Sequence, residues 1–159
     1  MSAADPAGQG RSSRTWLRLY RLLARLTQPK YTLGSMVQVC RPSGEMLLVR
    51  QRLRTPSRWG FPGGFEKVGE TAAEAARREL REEVGLDVEV RESDLVARYQ
   101  QPWARHVDSV FTVRHDDSTA SARPESLEIL DVGWFPPDAV PPLTREAALA
   151  LTHLADGNR

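Results

Sequence analysis

Three glutamates on one predicted helix, Glu79, Glu82 and Glu83, are the residues of this chain best placed to do chemistry. At about 100° per residue, Glu83 lies about 40° and Glu82 about 60° from Glu79, so the three share one helix stripe. Two carboxylates about 4 Å apart repel by about 4 kcal/mol at an effective dielectric near 20. Such a group stays ionised only with a cation or full hydration. The stripe therefore favours Mg²⁺, with Mn²⁺ as an alternative, and a solvated charged helix face is the other interpretation.

The same helix carries signals for its core-facing side and for both of its ends. An apolar stripe adjoins the carboxylates and is formed by Ala73, Ala76, Leu80 and Val84. Thr71 and Glu74 are typical of a capping box, and Gly85 is typical of a residue that ends a helix. We therefore predict a helix over residues 72–84 whose acidic stripe is available to a ligand.

The glutamates belong to a longer pattern that begins at a glycine loop. Residues 64–86, GFEKVGETAAEAARRELREEVGL, match G-x5-E-x7-R-E-U-x-E-E-x-G-U at every specified position, with U an apolar residue. Each specified Gly or charged residue occurs at roughly one position in fifteen to twenty, so chance agreement is negligible. The chain resembles the Nudix hydrolase family. Residues 59–64, WGFPGG, resemble the strand and loop before this box in the MutT-like branch, and residues 128–135 resemble a late strand. The resemblance covers residues 31–154.

The resemblance implies a fold, a metal site and a reaction. The fold is α/β, the Nudix α/β/α sandwich with a mixed sheet. Glu79, Glu82 and Glu83 would hold Mg²⁺ directly or through water, the Gly63 carbonyl would complete the shell, and Arg78 would orient a carboxylate. The reaction is hydrolysis of a phosphoanhydride bond in a nucleoside diphosphate linked to another group, with water attacking one phosphorus in line.

Two positions compete for the role of general base. Glu79 is the candidate inside the box. Glu128, or Glu125 beside it, is the candidate outside the box, because members of the family often supply the base from there. A solvent-facing strand residue is the other interpretation of Glu128. Glu70 also belongs to the pattern, and we expect a structural or supporting role for it.

The sequence does not specify the substrate. Pro102 lies about sixteen residues after Leu86, where ADP-ribose pyrophosphatases of this family carry a proline. Residues 61–64 are closer to the MutT-like pattern, which favours nucleoside triphosphates. Residues 101–103, QPW, resemble the start of the NADH-pyrophosphatase motif, but residues 104–106 depart from it and its usual zinc cysteines are absent. We therefore expect a (d)NTP or an ADP-ribose-like substrate.

Basic and aromatic side chains near the box are candidates for substrate contacts. Arg50, Arg52, Arg54 and Arg58 could meet phosphates or be solvated. Aromatic rings could stack on a base or belong to the core. The predicted substrate-binding set is Arg50, Arg58, Phe61 and Trp103.

The composition is typical of one small domain. The chain has 159 residues and a formal net charge of +1, which gives the whole molecule no strong electrostatic preference for nucleic acid or anionic membrane. A single cysteine, Cys40, excludes an internal disulfide and a Cys-based zinc site. No stretch is long and apolar enough to span a bilayer. We expect a cytoplasmic protein.

Alternation and turn signals predict the remaining elements. The predicted strands are residues 33–40, 46–50, 87–90, 94–100, 106–113 and 128–135. The first two read as a hairpin, residues 115–124 as a loop, and residues 143–154 as a helix with Thr144 as its cap. A mixed sheet with helices on both sides satisfies this order.

Residues 1–30 differ from the predicted Nudix domain, residues 31–159. Residues 1–13 are small and polar, which predicts a disordered tail. Residues 14–30 combine arginines every three or four positions with Trp16 and leucines on the other side, which predicts a basic amphipathic helix. Contact with a membrane surface, contact with RNA and organellar targeting are the functional alternatives. Packing of the leucines on the domain or on a second subunit is the structural alternative.

Two functions of other classes remain open. One is an RNA 5′-end pyrophosphohydrolase that holds RNA with the basic helix. The other is a non-catalytic nucleotide-sensing Nudix module, against which the full set of box carboxylates argues. We expect a nucleotide-type small-molecule substrate as partner, with RNA less favoured and a homodimer left open.

Overall fold

A computed structural model describes residues 16–18, 20, 21, 23, 27, 29–53, 57–116 and 121–157. The chain divides into two units, residues 1–30 and 31–159. In the first unit, residues 16–18, 20, 21, 23 and 27 are helical. The predicted tail over residues 1–13 and the rest of the segment 14–30 lie outside the described residues, so the full amphipathic helix stays a prediction.

The second unit is built on a mixed sheet of six described strands. They are β1 (Thr32–Cys40), β2 (Met46–Gln51), β3 (Gly63–Phe65), β4 (Leu95–Gln100), β5 (His106–Arg114) and β6 (Ile129–Phe135). The order is β4-β5-β1-β2-β6, and β3 pairs with β1. The long β1–β5 pair is parallel, whereas the other strand pairs are antiparallel. The predicted mixed sheet and the predicted β1–β2 hairpin are therefore confirmed.

Two helices cover opposite faces of this sheet. They are α1 (Ala72–Val84) and α2 (Arg145–Gly157). Each face of the sheet has its own hydrophobic core. Alternate residues of β1 belong to different cores, since Val37 and Val39 pack with α1 whereas Met36 packs with α2. β2 and β5 divide their side chains in the same way. Because successive strand side chains point to opposite faces, the layers are α1, sheet and α2, which confirms the predicted α/β/α sandwich.

The bounds of α1 agree with the prediction because local signals set both ends. The Thr71 hydroxyl accepts a hydrogen bond from the Glu74 N–H at 3.2 Å, and the Glu74 carboxylate accepts one from the Thr71 N–H at 2.8 Å. Gly85 follows the helix with a φ of 73°. A reciprocal cap and a left-handed glycine satisfy orphan backbone groups at the two ends.

One predicted strand is wrong. Residues 87–90 form no strand, and a short 3-10 helix, Glu92–Asp94, precedes β4. Leu86 and Val90 are buried against the α1 side of the sheet, so packing of side chains holds this segment without ladder bonds. The helix predicted from residue 143 begins at Arg145, and the predicted cap is confirmed because the Thr144 hydroxyl accepts from the Ala147 N–H at 3.3 Å.

Within the described residues, no helix combines the length and the apolar character that crossing a bilayer requires.

Candidate active site

The acidic stripe of α1 faces a cleft of about 760 Å³ beside β3 and the segment that precedes β6. Its described lining residues are Gln51, Leu53, Gly63, Gly64, Phe65, Glu66, Lys67, Arg78, Glu79, Glu82, Glu83, Ser126, Leu127 and Glu128. Five of them are glutamates and two are basic, so the described wall carries an excess of negative charge. The structure thus brings the predicted metal set (Glu79, Glu82, Glu83 and Gly63) together with Arg78 and Glu128.

Glu83 is held between two strands at the inner wall of the cleft. Its residue is only 5% exposed. The carboxylate accepts hydrogen bonds from Gln51 Nε2 at 2.8 Å and from the Gly63 N–H at 3.0 Å. These bonds join α1 to β2 and β3 through one side chain, so the position of this carboxylate depends on the strand layer as well as on its own helix.

Arg78 lies at the centre of the acidic group, with a side chain that is only 12% exposed. It donates two parallel hydrogen bonds to Glu70, from Nε to Oε1 at 2.8 Å and from Nη2 to Oε2 at 2.9 Å. Its Nη1 donates to Glu79 at 2.5 Å and to Glu82 at 3.3 Å, and its Nη2 donates to the Phe65 carbonyl at 3.0 Å. The guanidinium lowers the pKa of Glu70 to about 2, chiefly through these hydrogen bonds. The pKa of Arg78 itself is raised by the same pairing.

The two glycines of β3 leave space that the site requires. A Cβ on Gly63 would lie 2.3 Å from the Ser35 carbonyl oxygen, and the φ of Gly63 is 154°, which side chains rarely permit. A Cβ on Gly64 would lie 2.5 Å from Oε1 of Glu79. Gly63 therefore allows β3 to approach β1, and Gly64 makes room for a carboxylate of the predicted metal set.

Comparison with known proteins decides the family. A profile of the NUDIX domain matches residues 30–154, which is most of the chain. The chain belongs to the Nudix family. This membership confirms the resemblance seen in the sequence.

Curated relatives of this Nudix domain carry names of different activities. The Pseudomonas aeruginosa NAD-capped RNA hydrolase NudC is 31% identical over 122 residues, which are 77% of this chain and 42% of the relative. The Chromobacterium violaceum NudC is 32% identical over 116 residues, 73% of this chain and 42% of the relative. A Bacillus subtilis protein with the provisional name 8-oxo-dGTP diphosphatase is 32% identical over 111 residues, 70% of each chain. The chain spans about two fifths of the length of the NudC relatives.

Solved structures share the fold of this Nudix domain. A MutT Nudix hydrolase from Burkholderia pseudomallei has a TM-score of 0.66 at 24% identity, covering 79% of this chain and 99% of that one. An ADP-ribose pyrophosphatase from Streptococcus suis has a TM-score of 0.64 at 25% identity, covering 82% and 93%. These likenesses confirm the Nudix architecture.

The donor chemistry of the cleft fits a hydrated divalent cation. Among the described residues, no three His, Cys, Asp or Glu side chains converge closely enough to share one ion. Glu79 and Glu82 bond to Arg78, and Glu83 bonds to Gln51 and Gly63. Mg²⁺ keeps several of its waters and needs only one or two carboxylates, so these carboxylate oxygens suit it. The predicted ligand set stays a prediction.

The two predicted phosphate-binding arginines do not line this cleft. Arg50 Nη2 pairs with Asp131 Oδ2 at 3.0 Å, and its guanidinium lies 5.5 Å from the centre of the Trp59 ring. Arg58 Nη1 donates to the Leu143 carbonyl at 2.9 Å. Of the other basic candidates, Arg52 donates to the Leu127 carbonyl at 3.0 Å, whereas Arg54 lies outside the described residues. Contact of these arginines with substrate stays a prediction.

The two predicted aromatic contacts, Phe61 and Trp103, are also not among the lining residues of the cleft. Phe61 is buried in the core beneath α2. Trp103 is partly buried, and the Arg145 guanidinium lies 3.7 Å from its ring centre. The core interpretation of aromatic residues therefore describes the position of Phe61, and a role of either ring in stacking stays a prediction.

The sequence reasoning missed several residues of the cleft. Gln51 holds Glu83, and Lys67 Nζ lies 3.8 Å from Glu82 Oε1. Three apolar side chains at the cleft are exposed, namely Leu53, Phe65 and Leu127. Lys67 and Phe65 fall at unspecified positions inside the Nudix box, so the pattern itself did not single them out. Gln51 reaches the cleft through the pairing of β2 with β6, and Leu127 lies in the turn before β6; the sequence carries no local signal for this pairing.

Proposed function

We propose that this Nudix domain is a Mg²⁺-dependent pyrophosphohydrolase acting on a nucleoside diphosphate linked to another group. The observation that carries the proposal is the acid-rich cleft, in which the three box glutamates of α1 face the strand of Gly63 and Gly64. A wall with five glutamates and two basic residues repels a phosphate group unless a cation enters with it. Family membership supplies the class of reaction.

Each box residue then has a specific task. Glu79, Glu82 and Glu83 would hold Mg²⁺ directly or through its waters, and the bound ion would neutralise charge on the phosphate oxygens. Arg78 fixes the first two carboxylates and balances part of their charge. Lys67 stands beside Glu82 and offers a positive charge to a phosphate at the cleft wall.

Glu128 is the general base that we favour for activating the attacking water. It lines the same cleft and is exposed, whereas Glu125 does not line the cleft and pairs with Arg123 at 2.6 Å. Glu79, the other candidate, is engaged by Arg78 at 2.5 Å and is therefore less free to accept a proton. The backbone carbonyl of Glu128 accepts the Arg52 N–H at 2.7 Å, which anchors the residue while leaving its carboxylate available.

Matched glutamine variants test this assignment. Glu128→Gln is expected to lower kcat by about 100-fold or more. Glu125→Gln, the control, is expected to retain the wild-type kcat. Equal activity of the two variants would return the role of base to Glu79.

The exposed apolar side chains of the cleft favour a substrate that carries an organic group on each of its two phosphates. Phe65 is exposed at the end of β3, and Leu53 and Leu127 are exposed elsewhere on the lining. Exposed apolar side chains at a polar cleft can cover the rings of a nucleoside. Within the proposed class we therefore favour a dinucleotide-like pyrophosphate over a (d)NTP, and the NudC relatives, named for NAD-capped RNA, support this choice.

A substrate panel with Mg²⁺ decides the substrate class. It contains NADH, ADP-ribose, dinucleoside polyphosphates, dNTPs, 8-oxo-dGTP, NAD-capped RNA and 5′-triphosphate RNA. We expect mononucleotide release from NADH or ADP-ribose to exceed pyrophosphate release from every dNTP. Faster turnover of 8-oxo-dGTP would favour the MutT-like alternative, and no release from any compound would favour a nucleotide-sensing module.

RNA as a substrate is the second candidate, since the NudC relatives are named for it. Faster turnover of NAD-capped RNA than of free NADH would support this alternative. A cytoplasmic location and a homodimer stay predictions.

A further inference from the structure

The proposed hydrolysis makes no use of the basic segment, residues 14–30. This segment contains four arginines, one lysine and no Asp or Glu. Its described residues at 16–18, 20, 21, 23 and 27 are helical. A cationic stretch of this kind, which the proposed hydrolysis does not use, indicates a partner that is separate from the substrate.

The described residues of the basic segment separate into two faces. With Trp16 at zero and about 100° per residue, Tyr20 lies near 40°, Leu23 near −20° and Leu17 near 100°. Arg18 and Arg21 lie on the opposite side, near 200° and 140°. An apolar face that includes Trp and Tyr therefore stands opposite a cationic face.

The remaining arginines of the segment strengthen this separation. If the helix continues through residues 14–25, the sequence predicts Arg14 near 160° and Arg25 near 180°. All four arginines then fall within about 60° of one another, and Leu19, Leu22 and Leu26 extend the apolar face. The predicted apolar face is thus much wider than the cationic stripe.

The apolar face is exposed where the structure describes it. Trp16, Leu17, Tyr20 and Leu23 expose between 50% and 69% of their surface. Exposed apolar side chains grouped on one helix face indicate a site of interaction. Trp and Tyr are enriched where an apolar layer meets water, and Lys and Arg favour the side with anionic headgroups.

We propose that the basic segment binds an anionic lipid bilayer surface, with the face of Trp16 and Tyr20 buried among the acyl chains. Charge complementarity selects this occupant, because the arginines match anionic headgroups and no acidic residue opposes them. A bilayer also accounts for both faces of the helix. Binding to RNA would use the arginines and leave the wide apolar face in water, and pairing with a second copy would bury the apolar face and leave the arginines unexplained.

Co-sedimentation of the full chain with vesicles tests the proposal. We expect the protein to pellet with phosphatidylcholine vesicles that contain about 30% phosphatidylglycerol, to stay in solution with phosphatidylcholine alone, and to be released by salt. Arg18→Glu/Arg21→Glu should reduce partitioning by about thirtyfold or more. Arg105→Glu/Arg114→Glu, an equal change of charge at exposed residues of the Nudix domain, should retain most of it.

Two further measurements distinguish binding to a bilayer from binding to RNA. Trp16→Ser/Tyr20→Ser should weaken vesicle binding at unchanged charge, because it removes apolar burial. Unchanged vesicle binding by this variant, or an equal loss in the Arg105→Glu/Arg114→Glu control, would overturn the proposal. Binding of single-stranded RNA with no binding to anionic vesicles would overturn it in favour of RNA. Hydrolysis of a small nucleotide by every variant reports that the Nudix domain is folded.

Discussion

Replacing Gly64 by alanine is expected to disable the proposed active site without unfolding the domain. The new Cβ would lie 2.5 Å from Oε1 of Glu79 and 2.7 Å from its Cδ. An ordinary contact of this kind is about 3.4 Å, so the carboxylate must move by about 0.9 Å. The obstructing atoms are the end of a flexible side chain, so the side chain can move while the backbone stays in place.

That movement has a large effect on catalysis and a small one on stability. It pulls Glu79 from its 2.5 Å contact with Arg78 and shifts a carboxylate of the predicted metal set. A misplacement of about 1 Å in an active site can reduce the rate about 100-fold. We therefore expect kcat of Gly64→Ala to fall about 100-fold, while the free energy of unfolding changes by less than about 1.5 kcal/mol.

The same substitution one residue earlier supplies the contrast. A Cβ on Gly63 would lie 2.3 Å from the Ser35 carbonyl oxygen and 2.7 Å from the Met36 Cα, both in β1. The positive φ of Gly63 adds backbone strain. Because β1 is central in the sheet and cannot withdraw, Gly63→Ala should lose about 3 kcal/mol or more of stability.

Urea denaturation and steady-state hydrolysis of the panel's best substrate measure both variants. Wild-type turnover in Gly64→Ala would refute the placement of Glu79 at the reacting phosphate. A loss of stability as large as that of Gly63→Ala would refute the argument that only a side chain must move.

Three further predictions concern the acidic group. Glu83→Gln should keep the fold, because the new amide can accept from the Gly63 N–H and, once the Gln51 amide rotates, donate to Gln51. The kcat of this variant should nevertheless fall by about 100-fold or more. The melting temperature and kcat of the same preparation measure the two effects. The pKa of Glu70 is depressed from 4.5 to about 2 by Arg78, so its stabilising contribution of about 1–2 kcal/mol is present above pH about 4.5 and is lost as the pH falls towards 2. Urea denaturation between pH 2 and 6 should therefore show wild type and Glu70→Gln converging in stability at low pH, and a constant gap would contradict the pairing. Chelation of divalent ions should stop turnover, and added Mg²⁺ should restore it.

The sequence predicted α1 to the residue because its determinants are local. Thr71, Glu74 and Gly85 fix the ends through groups that are close in the chain. The strand over residues 87–90 was mispredicted because its apolar residues pack without pairing, and Leu86 and Val90 are buried against α1 and the sheet. Apolar alternation reports burial of one face, but it does not report whether a neighbouring strand supplies hydrogen bonds.

The residues of the candidate site show the same difference between local determinants and determinants that are distant in sequence. The box spacing placed three glutamates and Arg78 on one helix, and helix geometry then brought them to one cleft. Arg50 and Arg58 were chosen for their charge and proximity in sequence, but Asp131 and the Leu143 carbonyl engage them elsewhere. The direction of a long side chain such as that of Arg50 or Arg58 depends on partners that are distant in sequence, here Asp131 and Leu143.

The charge of the cleft connects these observations to the choice of ligand. The five glutamates of the cleft would face the phosphates of the proposed substrate, and Arg78 is already shared among Glu70, Glu79 and Glu82. A cation that binds between the carboxylates and the phosphates is attracted by both. Cation and substrate should therefore raise each other's affinity for the protein by the same factor. The carboxylate stripe and the guanidinium that restrains it thus favour a site in which cation and substrate bind together, and in the proposed function the exposed apolar side chains of the cleft would distinguish among nucleoside groups.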